Sequence, residues 1–187
     1  ILLHFGAVDF ECQLWVNQRL IGSHRGGFLP FSFDISEALH RGENELLVAV
    51  SDPSDAGLQE RGKQVLQPKG IWYSAVSGIW QTVWLEPVPA LSISALTSIP
   101  AVDFGAVAVQ VRLSTWDIPG ESHCEIDLLD EDVVVASAVW QGGEACVLVV
   151  PQPKLWSLES PHLYGLRARL YQGNELVDKV TSYTALR

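Results

Sequence analysis

Residues 70–86 read GIWYSAVSGIWQTVWLE, and the last part of that stretch has the period of a β-strand. Side chains alternate across a strand, so Trp80, Thr82, Trp84 and Glu86 are expected on one side, with Gln81, Val83 and Leu85 on the other. Large apolar groups fall on both sides. Such a strand is expected to be covered on both faces, one by its own sandwich and the other by a loop or another domain. Residues 53–70, just upstream, carry Pro, Gly and charge without clean alternation, a longer loop than a compact domain usually keeps without a use. Flat indole faces beside Asp55, Arg61, Lys63 and Gln64 make a mostly apolar surface with a few polar anchors, which suits the C–H face and hydroxyls of a pyranose.

Outward from this stretch, short alternating runs broken by Gly, Pro, Asn and Asp recur along the whole chain, the pattern of an all-β protein built of sandwiches. In the first half the strand candidates are residues 2–6, 11–16, 19–22, 30–34, 45–51 and 80–86. Asn17-Gln18 separates two of them and is expected to form a two-residue hairpin turn with positive φ. Residues 36–40 suggest one helical turn, with Asp34 or Ser36 available to cap it. Pro87-Val88-Pro89 is a stiff connector that marks a boundary, giving domains over 1–89 and 90–187. The second domain offers strands over 91–98, 106–114, 123–129, 133–140, 145–150, 164–171 and 176–183. Alternation is clear in Val107, Val109, Val111 and Leu113, and in Leu166, Ala168 and Leu170 with Arg167 and Arg169 outward. That strand count is immunoglobulin-like.

Several function classes are disfavoured. The net charge of −10 argues against a phosphate-backbone partner, which calls for a basic stripe. The longest apolar runs, such as 133–139, fall far short of the ~20 residues of a membrane-spanning helix, so neither nucleic acid nor membrane is an expected partner. Cys12, Cys124 and Cys146 lack CxxC spacing and are expected to be small core residues. Cys124 and Cys146 remain an alternative pair if their strands are neighbours. No nucleophile elbow, phosphate loop or HExxH motif is present, and the five histidines are scattered, so no metal or cofactor is implied. The chain has no methionine and opens on a strand-like run, ILLHFGAV, so an excised piece or a processed N-terminus is expected.

Leu14 to Gln18 (LWVNQ), His24 to Ile35 (HRGGFLPFSFDI), Gly42 to Val50 (GENELLVAV) and the Gly70 to Glu86 stretch occur in order, and together they resemble the sugar-binding domain of glycoside hydrolase family 2. That family includes the β-galactosidases, β-glucuronidases and β-mannosidases. LWSLESPHLY over 155–164 and the closing TSYTALR are similar to its immunoglobulin-like domain and the lead into its catalytic barrel. The resemblance implies a jelly-roll, galactose-binding-like sandwich whose N-terminal strands are missing, followed by an immunoglobulin-like sandwich. It also implies a parent enzyme that hydrolyses O-glycosidic bonds with retention, through two glutamates about 5 to 5.5 Å apart in a TIM barrel. No barrel pattern of ~250 residues follows, so no catalytic residue is assigned and the chain alone is expected to be inactive. The pairs Asn44-Glu45 and Asn174-Glu175 are read as turn residues at strand entries.

The expected partners are a carbohydrate substrate and the barrel of the same parent chain. The sugar-binding candidates are Asp55, Arg61, Lys63, Gln64 and Trp72, with Trp72 at the loop edge best placed to stack on a ring. Against that, Arg61 and Lys63 also read as a solvated charged loop, and Trp15, Trp80 and Trp84 as packing residues of a core or a domain interface. In family β-galactosidases an aspartate precedes the tryptophan that matches Trp72. Here the neighbourhood is Pro68-Lys69-Gly70-Ile71, which departs from that specificity. The rival readings are a free-standing carbohydrate-binding module and a structural pair of sandwiches.

Overall fold

The computed structural model describes residues 1–187, which divide into two compact units, Ile1–Val88 and Pro89–Arg187. In the first unit, β1 (Leu2–Phe5) and β3 (Glu11–Val16) are the central strands of two antiparallel sheets. Their alternation decides what is inside: Leu3 and Phe5 on β1, and Cys12, Leu14 and Val16 on β3, are buried and pack with Val8 and Ile35. β1 lies between β5 (Phe31–Asp34) and β10 (Val83–Glu86), and β3 between β4 (Arg19–Arg25) and β6 (Leu46–Ser51). Phe5, Phe31 and Phe33 pack in stacked and edge-on contacts at the centre.

The β3–β4 hairpin turns at Asn17 and Gln18, with φ of 50° and 67°. Those positive angles are the ones a two-residue turn needs to match strand twist. The Asn17 amide donates to the Ala38 carbonyl and to Asn44 Oδ1, and its oxygen accepts from the Glu45 N–H, so one turn residue also fixes the start of β6. The helical turn is a 3-10 segment, Ser36–Ala38, and Asp34 Oδ1 accepts from the Ser36 N–H.

The stretch 80–86 is not one strand. β9 (Gly78–Ile79) pairs with β2 (Val8–Asp9), and β10 pairs with β1. The cause is a corner in the partner: the chain turns at Gly6 between β1 and β2, and the facing segment bends with it. A Cβ on Gly6 would lie 2.6 Å from Gln81 Cβ, so only glycine admits so close an approach. Trp84 therefore lies on β10, while Trp80 falls between β9 and β10. Nor is β10 covered: Val83, Trp84 and Leu85 are exposed, as are Leu46, Leu47 and Val50 on β6. Trp80 and Trp84 are half exposed and Trp15 half-buried, so none of the three is a core residue. Both β6 and β10 are edge strands of their sheets.

The second unit is a seven-stranded sandwich. One sheet orders β11 (Ile93–Ala101), β12 (Ala106–Leu113) and β15 (Cys146–Val149). The other orders β14 (Val133–Trp140), β13 (Ser122–Asp130), β16 (Tyr164–Gln172) and β17 (Glu175–Thr184). Val107, Val109 and Val111 on β12 meet Cys124, Ile126 and Leu128 on β13 and Leu166, Ala168 and Leu170 on β16 in a single core. On the opposite face of β16, Arg167 and Arg169 both donate to Asp127 Oδ2, at 2.7 and 3.0 Å. All three cysteines are free thiols. Cys124 and Cys146 do not pair; β13 and β15 belong to different sheets, and both thiols lie in the core between them. Tyr164 is buried, and its hydroxyl accepts from the Lys154 N–H at 2.7 Å. The Arg187 guanidinium lies 5.4 Å from the Trp156 ring centre.

Candidate functional site

Residues 53–70 are tied down by their own polar groups rather than left as an open loop. Asp52 starts the tether, accepting from the Ser54 N–H at 2.7 Å and the Ser77 hydroxyl at 2.6 Å. Gln59 donates to the Ser54 carbonyl. A short parallel pair then forms between β7 (Gln64–Val65) and β8 (Tyr73–Ser74), secondary structure that the composition of this segment does not announce.

The five sequence candidates divide among different places. Asp55 is half-buried, accepts from the Leu66 N–H at 3.1 Å, and shares with Trp72, Leu66 and Lys69 an open recess of about 680 Å³. Trp72 is 41% exposed, and a carboxylate, Asp55, and an ammonium, Lys69, line the same recess. Gln64 faces elsewhere: its Oε1 accepts from the Val76 N–H at 2.8 Å, and it lines a smaller recess with Asp9, Phe28 and Trp80. Arg61 donates to the Gly57 carbonyl at 3.2 Å and lines neither recess. Lys63 is exposed, and its carbonyl accepts from the Tyr73 N–H. Asp55 and Trp72 are thus brought together, and the other three are not.

Two arrangements escape a reading along the chain. On the outer face of β1, His4 Nδ1 lies 2.6 Å from Ser32 Oγ and Nε2 lies 2.8 Å from Glu86 Oε2, with Trp84 stacked on the imidazole at 4.7 Å. The order of groups is that of a hydrolytic triad. The cluster lines neither the recess at Trp72 nor that at Asp9, whereas such chemistry requires a recess and converging backbone donors. It is a hydrogen-bonded platform under Trp84. The second arrangement surrounds Asp9, a buried carboxylate at the end of β2 between two buried apolar residues, Val8 and Phe10. A charged residue in an apolar run was the available signal, but its ring neighbours are far away in sequence.

The comparisons with known proteins bear on the chain as a whole. The family described as "Glycosyl hydrolases family 2, sugar binding domain" matches residues 1–89, and that described as "Glycosyl hydrolases family 2" matches residues 95–187. The chain belongs to glycosyl hydrolase family 2. A β-galactosidase of Thermoanaerobacter pseudethanolicus is 29% identical over 100% of this chain and 26% of its own length. A β-glucuronidase of Bacteroides fragilis is 24% identical over 100% of this chain and 29% of its own. Among solved structures, a β-glucuronidase from Ruminococcus gnavus superposes with a TM-score of 0.78 at 23% identity, covering 100% of this chain and 33% of that one. That likeness establishes the fold: a family 2 sugar-binding jelly roll and an immunoglobulin-like sandwich. The chain spans about a quarter to a third of the length of these relatives.

Proposed function

We propose that this chain is the non-catalytic N-terminal region of a family 2 glycosidase that hydrolyses O-glycosidic bonds, and that it braces a catalytic barrel and shapes one wall of its sugar pocket. The observation that carries this reading is the uncovered apolar surface of the first unit. Leu46, Leu47 and Val50 on β6, with Val83, Trp84 and Leu85 on β10, stand exposed along two sheet edges. A monomeric protein does not usually leave long apolar edges open, because they template further pairing. The first unit, jelly-roll domain 1–89, takes further strands along these edges. The parent enzyme works with retention, through a pair of glutamates carried by the barrel, and the chain alone does not turn over glycosides.

Asp55, Arg61, Lys63, Gln64 and Trp72 belong to the loop that closes the sugar pocket, with Trp72 offering a ring face and Asp55 a carboxylate beside it. The exposure of Trp72 also favours a second reading, a carbohydrate-binding module that works by itself. Two measurements separate the readings. Coding DNA downstream of Arg187 that continues into a barrel pattern supports the enzyme, and a stop codon there overturns it. Calorimetric titration of the chain with galactosides, glucuronides and mannosides gives no heat if the loop needs the barrel, and saturable heat if the module works alone.

A further inference from the structure

We propose that the recess around Asp9 is a binding site for an organic cation, a guanidinium or alkylammonium group. The site deepens the function proposed above by naming a second ligand contact on the same unit, but it does not depend on the chain's being part of a glycosidase. The recess encloses about 200 Å³ and is walled by Asp9, Phe28, Gln64, Ser77, Gly78 and Trp80. Asp9 is 7% exposed, and its carboxylate accepts no hydrogen bond from the chain. Its electrostatic surroundings are all unfavourable to charge: burial first, then Asp52 and Glu60. A buried carboxylate with neither a donor nor a counter-charge is costly to keep and is rarely left without a partner.

The surrounding residues hold this geometry open. A Cβ on Gly27 would lie 2.7 Å from Asp9 Oδ1, so the missing side chain there makes room for the carboxylate. The Gly27 carbonyl in turn accepts from Trp80 Nε1 at 2.8 Å, and Phe28 meets the Trp80 ring edge-on at 5.9 Å. Two rings are therefore fixed at the rim before any ligand arrives. Glu60 lies close by, its Oε1 3.6 Å from where a Cβ on Gly26 would stand.

The choice of ligand follows from what these walls can satisfy. A neutral sugar carries several hydroxyls, and the polar groups on offer are few: Gln64 Oε1 is already used by the Val76 N–H, and the Ser77 hydroxyl donates to Asp52. Hydroxyls buried here would go unpaired. A bare metal ion needs several oxygen or nitrogen ligands, and no three metal-ligating side chains converge in the chain. A guanidinium or ammonium needs one carboxylate, gains from the acidic field of Asp52 and Glu60, and finds ring faces suited to cations.

The test is an NMR titration of the 187-residue chain, following the Trp80 indole N–H. The probes are ethylguanidinium and n-propylammonium, their uncharged counterpart ethylurea, and glucosamine against glucose. Charged probes should saturate the Trp80 shift, while ethylurea and glucose leave it unmoved. Asp9→Asn should weaken binding by roughly tenfold or more, the effect of removing a desolvated charge partner, and the exposed Glu60→Gln by about twofold, a field effect. Glucosamine tighter than n-propylammonium identifies a free amino sugar as the source of the cation. Ethylguanidinium tighter than both identifies an arginine side chain. Equal binding of ethylurea and ethylguanidinium, or no movement of the Trp80 signal with any cation, overturns the proposal. If Asp9→Asn fails to fold, the charged-against-neutral comparison and Glu60→Gln decide alone.

Discussion

Three carboxyl and thiol groups show how local surroundings decide what a residue does. Asp9 has its acidity weakened by burial and then by the charges of Asp52 and Glu60. Its folded pKa lies above the unfolded one, so at neutral pH the ionised group subtracts stability, and that loss is recovered as pH falls through the folded value. Asp9→Asn should therefore raise the thermal midpoint at pH 7 and narrow the difference between pH 7 and mildly acidic solution; an unchanged midpoint would contradict this. Asp127 has the opposite sign. Burial pushes it upward, but hydrogen bonds from Arg167 and Ser137 and the charge of Arg169 outweigh that and hold it below the ordinary aspartate value. Its contribution is present above the unfolded pKa and lost as pH falls through the folded one. Asp127→Asn should cost about 2 kcal/mol in urea denaturation at pH 7, the usual worth of charge-assisted hydrogen bonds. Cys124 is pushed up to about 12, by burial first and then by Cys146. Because the thiolate is the nucleophile, it should resist iodoacetamide at pH 8 until the chain is unfolded.

At the scale of elements, the strands most plainly read from sequence are those with one buried and one open face, such as β3 and β12. All seven strands of the second unit were expected from sequence, and alternation marks β12 and β16 most clearly, because inner residues such as Val107, Val109 and Leu166 face a single core. The Asn17-Gln18 turn was equally legible, since Asn tolerates positive φ and the flanking strands set the spacing. Gln18→Gly should relieve the strain of a left-handed glutamine at φ 67° and stabilise the hairpin by about 0.5 to 1 kcal/mol, measurable by chemical denaturation. The stretch 80–86 defeated the same reasoning. Its alternation is real, but the bend at 80–82 is imposed by Gly6, which lies far away in sequence. The recess at Asp9 was illegible for a related reason, since four separate segments meet there. Of the candidate site residues, Asp55 and Trp72 share a recess because the loop doubles back between β7 and β8, a pairing that its Gly- and Pro-rich composition conceals.

For the molecule as a whole, the exposed apolar edges on the first unit are the surfaces that the proposed larger glycosidase would cover. The unit has a core of its own, built by Leu3, Phe5, Leu14 and Val16, yet it presents Leu46, Leu47, Val83, Trp84 and Leu85 to solvent. A chain with such edges should self-associate when held alone, and Leu47→Lys together with Val83→Lys should suppress that by placing charge on both edges. Analytical ultracentrifugation checks this, and a monomeric wild-type chain at high concentration would count against it. The most direct measurement is amide hydrogen exchange along β6 and β10 in the 187-residue chain and in the full-length protein. Fast exchange is expected at the outward amides of both strands in the chain alone, and strong protection in the proposed longer protein. Equal protection in the two would contradict it.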